Sequence, residues 1–280
     1  MVDASPPPIV TLLTDFGTTD TYAGVMKGVI LRALPDAGII DLTHGVPAQD
    51  VRAGAFHLLS AYRYFPPGTV HLVIVDPGVG SNRRIIAADA GEHRFLGPDN
   101  GVLWPALVDA GLKGAVAVHA EVIRRAQGAA LPPGARVSST FHGRDKFAPV
   151  ACLLARGERL ECLGEPLRDM VTLPLPEPET RDDGAVIGEV IHIDAFGNLV
   201  TNIRRGKLPD ASVTFEVRER AIVGVAETYV SKATGELMAL YGSSGRIEIS
   251  VRDGNAAALL SATIGDAVTA TAGAGARGLP

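Results

Sequence analysis

Four short clusters of polar residues and glycines hold the side chains of this chain that are equipped for chemistry. The first, Asp15-Phe16-Gly17-Thr18-Thr19-Asp20, follows an apolar run that reads as a strand. A carboxylate at the carboxyl end of a strand can accept both hydroxyls of a ribose, and a helix starting near Asp20 offers free N–H groups. On composition alone, a turn at Asp15 and a helix cap at Asp20 fit equally well. The second cluster is DPGVGSNRR, residues 76–84. Its proline and glycines fix a tight loop that lets backbone approach a ligand and holds Asp76 at the sheet edge. It lacks the Lys-Ser/Thr ending of a phosphate loop and the glycine spacing of a dinucleotide fingerprint. Taken alone it reads as a turn with a solvated pair, Arg83 and Arg84. The third cluster is SSTFHGRD, residues 138–145, at the start of a helix. Of seven histidines, only His142 stands at a helix start beside glycine and two charges; the others sit in patterns that packing or solvent explains. The fourth is DAFGNLVTN, residues 194–202, with YGSSG at 241–245 and DGNA at 253–256 further on. The amide of Asn198 both donates and accepts, so it can pair with a purine edge on which Phe196 stacks. Corner turns of a β-domain are the plainer reading.

The elements that position these clusters follow from periodicity. Residues 9–14 read as a buried strand, and Tyr22, Met26, Val29, Ile30 and Ala33 mark one face of a helix that Pro35 stops. The unit repeats with a strand at 39–43 and a helix face at Val51, Ala55, Leu58, Leu59 and Tyr62, before the breaker Pro66-Pro67-Gly68. A third strand at 70–75 ends in DPGVG, a hairpin is expected at 85–90 and 94–96, and Gly111 should cap a short helix beginning near Gly101. Strands alternating with helices predict an α/β N-terminal domain with a mainly parallel sheet, residues 1–172. Proline and charge without periodicity mark 173–184 as a linker. Beyond it, short runs at 185–193, 212–217, 221–225, 236–241, 246–251, 257–260 and 267–271 predict an all-β, barrel-like C-terminal domain at 185–280, with TAGAGARGLP (271–280) frayed.

Composition narrows the function classes. The 280 residues carry 26 Lys and Arg against 31 Asp and Glu, a net charge of −5, with the basic residues scattered rather than clustered. That argues against a nucleic-acid partner. No apolar run approaches the ~18 residues of a membrane span. The start, MVDASPPPIV, has neither the basic nor the apolar region of a secretory signal, so a cytoplasmic location is expected. Cys152 and Cys162 lack metal-site spacing and read as ordinary thiols, and no metal site is expected.

Taken together and in order, TDFGTTD (14–20), VDPGVGSNRR (75–84), PDNG (98–101), TFHGRDKFAP (140–149) and IDAFGNLVTN (193–202) resemble the S-adenosyl-L-methionine hydroxide adenosyltransferases, relatives of the fluorinating and chlorinating enzymes. The resemblance implies an α/β domain, a C-terminal barrel, and a homotrimer with sites between the N-domain of one subunit and the C-domain of the next. It implies that Asp15 grips the ribose, that Asp20, Asp194 and Ser243 hold the amino-acid end of methionine, and that Phe196, Asn198 and the backbone around Ala256 meet the adenine. Asp76, Arg83 and His142 would bind and activate water. The implied reaction is hydrolysis of S-adenosyl-L-methionine to adenosine and L-methionine, with no cofactor because S-adenosyl-L-methionine is itself the substrate. Halogenating relatives carry a tyrosine in place of Asp76, and the fluorinating ones add a loop not found in this sequence; both differences favour water over halide. Halide transfer and a non-catalytic nucleoside- or S-adenosyl-L-methionine-binding role are the alternatives.

Overall fold

A seven-stranded sheet and the helices packed on it carry the first three clusters. In the computed structural model, which describes residues 6–208 and 212–272, the apolar run at the start is β1 (Ile9–Thr14). Next come helix α1 (Tyr22–Ala33), β2 (Gly38–Thr43), α2 (Val51–Ala61) and β3 (Val70–Ile74). The predicted hairpin is β4 (Ile85–Ala90) paired antiparallel with β5 (His93–Pro98). The predicted short helix, α3, begins at Trp104 and runs to Ala110, ended by Gly111 at φ 79°, a left-handed conformation open to glycine without strain. No expectation from the sequence covers β6 (Leu112–Val118), α4 (Ala120–Ala130) or the short strand that ends this part. Helix α5 (Ala148–Ala155) and the short β7 (Gly164–Pro166) complete this part.

The strand order is β2-β1-β3-β5-β4-β6-β7. Pairing is parallel from β2 through β1 and β3 to β5, and antiparallel from there to β7. Every residue of β3 is buried, as expected for a strand covered on both faces. The face of α1 made by Met26, Val29, Ile30 and Ala33 packs in the same core as Leu12, Leu72, Ile74 and Phe147. Asp50 caps α2 through Ala53 N–H at 2.9 Å. The carboxyl ends of β1 and β3 therefore carry the first two clusters side by side, because these strands are parallel neighbours with Thr14 opposite Ile74.

The chain divides into two compact units, up to Pro174 and from Leu175 onward. The second holds β8 (Glu179–Thr180), β9 (Val186–Ile193), β10 (Leu199–Arg204), β11 (Val213–Val217), β12 (Arg220–Val223), β13 (Leu237–Tyr241), β14 (Arg246–Val251), helix α6 (Ala256–Leu260) and β15 (Ala267–Ala272). The order β12-β11-β15-β9-β10-β14-β13 is antiparallel throughout, with β8 paired to β9. A bridge from Ala226 to Leu240 draws the two ends together, so the sheet is a nearly closed barrel around Phe215, Ile247, Ile249 and Val268. Within the stretch predicted as linker, Pro176 C=O accepts from Asn202 Nδ2 at 3.1 Å and β8 adds to the sheet, so much of it is pinned to the barrel.

One predicted strand is a helix. Residues 257–260 lie in α6, because the Ala-rich run favours helix and the Asn255 side chain caps it through Ala258 N–H at 2.7 Å. From residue 273 on, the fraying expected of the C-terminus falls outside the described residues, as do residues 1–5 of the N-terminal stretch. Among the described residues no helix is long and apolar enough to cross a membrane.

Candidate active site

The loop after β3 folds back so that Arg83 meets Asp76. Arg83 Nε lies 2.9 Å from both carboxylate oxygens, and its Nη2 also donates to Asp76 Oδ2. The same Nη2 is 3.1 Å from His142 Nδ1, joining residues 59 positions apart. The three side chains expected to do chemistry thus form one continuous contact. The loop is shaped by its own small residues: Ser81 Oγ donates to Gly78 C=O at 2.7 Å and accepts from Arg83 N–H at 3.2 Å. Gly80 sits at φ 85°, where a Cβ would press on the Ser139 carbonyl at 3.3 Å. The adjacent Arg84 plays a different part, bonding Asp99 and Asp169, so the pair is not simply solvated.

The ion pair is nearly water-free, with 5% of the Asp76 side chain exposed and 10% of the Arg83 side chain. The Arg83 guanidinium also lies 5.0 Å over the Phe147 ring. His142 is buried, and burial first, then the cations Lys146 and Arg83, hold its imidazole below the ordinary histidine range against the opposing pull of Asp76 and Asp145. Lys146 is depressed in turn, by burial and then by Arg83. His142 starts a five-residue π-helical turn, Gly143–Phe147, that leads into α5; such widened turns recur at functional sites.

Asp76 and His142 open onto a cavity of about 400 Å³ that Asp15, Phe16, Tyr22 and Gln49 also line. Asp15 does not merely form a local turn. Its Oδ2 accepts from Gln49 N–H at 2.8 Å, across 34 residues, and Gln49 adopts a left-handed φ of 65° to present that donor. Asp20 is exposed and does not cap α1, whose N-cap is Thr21 with no side-chain capping bond. It is not part of the cavity wall.

The second unit has its own cleft of about 710 Å³, lined by Asp194, Phe196, Asn198, Tyr229 and Asn255 among others. Asp194 anchors the turn between β9 and β10: it accepts from Phe196 N–H at 2.9 Å, Asn198 N–H at 2.8 Å and Asn198 Nδ2 at 2.8 Å. That turn buries Asn198 and leaves the Phe196 ring 76% exposed, an unusual placement for a large aromatic. Gly197, at φ 83°, cannot be replaced without overlap, since a Cβ would fall on the Asn255 amide. Ser243 is exposed in the turn after β13 and Ala256 is fully buried in the barrel core; neither lines the cleft. Tyr229 donates to Glu248 at 3.2 Å, and burial raises both the Tyr229 hydroxyl and the Glu248 carboxyl above their ordinary ranges.

Both units match family models. Residues 10–164 match the SAM hydroxide adenosyltransferase N-terminal domain, and residues 188–269 match the C-terminal domain of the same family. The chain belongs to the SAM hydroxide adenosyltransferase family. Among members, the (R)-S-adenosyl-L-methionine hydrolase of Salinispora tropica is 39% identical over 270 residues, covering 96% of this chain and 100% of the relative. A fluorinase from an Actinoplanes species is more distant, 28% identical over 248 residues and covering 79% of this chain and 80% of the fluorinase. The crystal structure of an uncharacterized conserved protein from Thermotoga maritima superposes with a TM-score of 0.84 at 36% identity, over 93% of this chain and 99% of that one.

The sequence does not single out Gln49, Tyr22, Phe141, Lys146 or Tyr229 as site residues, although the structure places each of them at one of the two cavities or beside His142. Lys146 stands four residues after His142 in a motif already singled out, a usable signal. Gln49 contributes its backbone N–H, for which side-chain identity gives no sign.

Proposed function

We propose that this chain hydrolyses S-adenosyl-L-methionine to adenosine and L-methionine by in-line attack of water on the ribose 5′ carbon. The observation that carries this reading is the contact of Asp76, Arg83 and His142 at the wall of a cavity that also presents Asp15. The water oxygen forms a bond to the 5′ carbon as the carbon–sulfur bond breaks, and that electron pair passes to sulfur, which leaves as a neutral thioether. No leaving-group acid is needed, and no cofactor or metal enters. The site's tasks are alignment, which can contribute up to ~7–11 kcal/mol, and a better nucleophile.

Arg83 donates to His142 Nδ1, which places the imidazole proton on Nε2 and makes the ring a neutral donor that orients the water. The lone pairs of Asp76 that Arg83 leaves free accept the water's proton, and the guanidinium stabilises the developing hydroxide. Asp76 can take a proton from an attacking water, a task that a halide nucleophile would not need, which supports water as the nucleophile.

The N-terminal cavity carries the ribose carboxylate and the water site, while the C-terminal cleft carries Asn198 and Phe196 for the base. Each lacks what the other has, and the family resemblance implies a homotrimer whose neighbouring subunits contribute the two halves. A cytoplasmic enzyme fits the unpaired thiols Cys152 and Cys162.

The test is incubation with S-adenosyl-L-methionine in ¹⁸O-labelled water. Label at the 5′ oxygen of adenosine is expected, and unlabelled adenosine refutes direct attack. Replacing Asp76→Ala should slow turnover by ~100-fold or more. A 5′-halonucleoside formed from added chloride or fluoride would favour halide transfer instead.

A further inference from the structure

We propose that Phe16, Tyr22 and Phe141 form an aromatic box that receives the sulfonium centre of the substrate, so that the site selects its ligand by the charge on sulfur. The inference rests on the functional reading above and names a recognition element within it. The three rings come from three separate segments: the loop after β1, the first residue of α1, and the residue before His142. Their centroids lie 5.8 Å (Phe16–Tyr22), 6.1 Å (Phe16–Phe141) and 5.1 Å (Tyr22–Phe141) apart, with planes at 59°, 77° and 82°. Rings set this steeply to one another turn their faces in three directions, as the walls of a corner do. All three line the cavity that Asp15, Asp76 and His142 line. Tyr22 keeps 47% of its surface exposed there, and Phe16 and Phe141 are only half-buried.

An aromatic face carries negative charge density and attracts a weakly hydrated cation, which is how alkylated ammonium groups are held in aromatic cages. A sulfonium has the same character, its charge spread over three carbon substituents. In the reading above the nearby carboxylates have other tasks: Asp76 pairs with Arg83 and faces the water, and Asp15, which accepts from Gln49 N–H, faces the ribose. Phe141 already takes the Arg144 guanidinium at 5.2 Å, leaving Tyr22 and Phe16 as the cation-free walls. In-line attack requires sulfur on the side of the 5′ carbon away from the water, and Tyr22 and His142 line the same cavity from separate segments. When the bond breaks, sulfur becomes neutral and the attraction disappears, which favours release of methionine.

The experiment compares dissociation constants for S-adenosyl-L-methionine and for S-adenosyl-L-homocysteine, its neutral thioether counterpart, measured by calorimetry at 4 °C to limit turnover. The full-length protein and the variants Tyr22→Leu, Phe16→Leu and Tyr22→Phe are used. Loss of one ring should reduce the preference for the sulfonium by roughly 5-fold in each leucine variant, while Tyr22→Phe stays within about 2-fold of the unaltered protein. Equal weakening of both ligands would overturn the proposal, the rings then being apolar wall only. So would a loss of preference in Tyr22→Phe as large as in Tyr22→Leu, because the hydroxyl would then be responsible. Both outcomes leave hydrolysis by the unaltered protein standing, whereas failure of that protein to form adenosine would defeat the functional reading itself.

Discussion

The N-terminal unit contains a histidine that stays neutral in the fold through mildly acidic pH, which gives a quantitative expectation for its acid stability. His71 on β3 is fully buried; its Nδ1 lies 2.8 Å from Thr11 Oγ1 and its Nε2 3.4 Å from His93 Nδ1, and its ring stacks on Phe95. Burial, assisted by the neighbouring His93, pushes its pKa down to about 3. Unfolded, the same imidazole titrates near the ordinary value of 6.5. Below that pH the unfolded chain takes up a proton that the folded chain refuses, so stability is complete above pH 6.5 and falls as acid is added, until the folded-state value is reached. Well inside this window each pH unit removes about 1.4 kcal/mol, and going from pH 7.5 to pH 5 costs about 2 kcal/mol from this one residue. That is a large share of a typical 5–15 kcal/mol total. The single tryptophan, Trp104, lies in α3 of this unit and reports its unfolding alone. Urea unfolding followed by Trp104 fluorescence at pH 7.5, 6.5 and 5, at fixed protein concentration, should show at least that loss, and His71→Gln should make it smaller by about 2 kcal/mol, the slope that remains coming from His57, His93 and His142, which burial also holds below the ordinary range. An equal slope in both proteins would refute the argument that the buried imidazole stays neutral.

Three further outcomes are expected. His142 is neutral above its depressed pKa, so turnover should be flat above pH 7 and fall only at a pH below 6.5; Lys146→Met removes one depressing cation and should move that fall to higher pH, as a pH–rate profile would show. Gly197→Ala should weaken nucleoside binding by at least about 10-fold through the clash with Asn255, while Trp104-detected unfolding of the other unit stays unchanged. If neighbouring subunits share sites, mixing inactive Asp76→Ala chains with inactive Asn198→Ala chains after dissociation should restore part of the activity, and native mass spectrometry should show trimers.

The alternation of strands and amphipathic helices, the glycine stops and the types of the reacting residues were legible in the chain itself. Strands β1 and β3 and helices α1 and α2 follow from local periodicity, because which face is apolar is written within a dozen residues. Helix α6 was misread because five residues between turns carry no clear period, and the deciding Asn255 cap is a single polar contact. Clusters one, two and four could be placed at strand ends and cluster three at a helix start from sequence, but not joined. Arg83 reaches His142 across 59 residues, Gln49 reaches Asp15 across 34, and the three rings at the cavity come from three segments. Such contacts depend on which strands lie side by side, a choice made by burial of the whole sheet rather than by any one stretch. The chain thus specified its elements and its chemical groups by local patterns, while only the packed fold determined which of those groups touch.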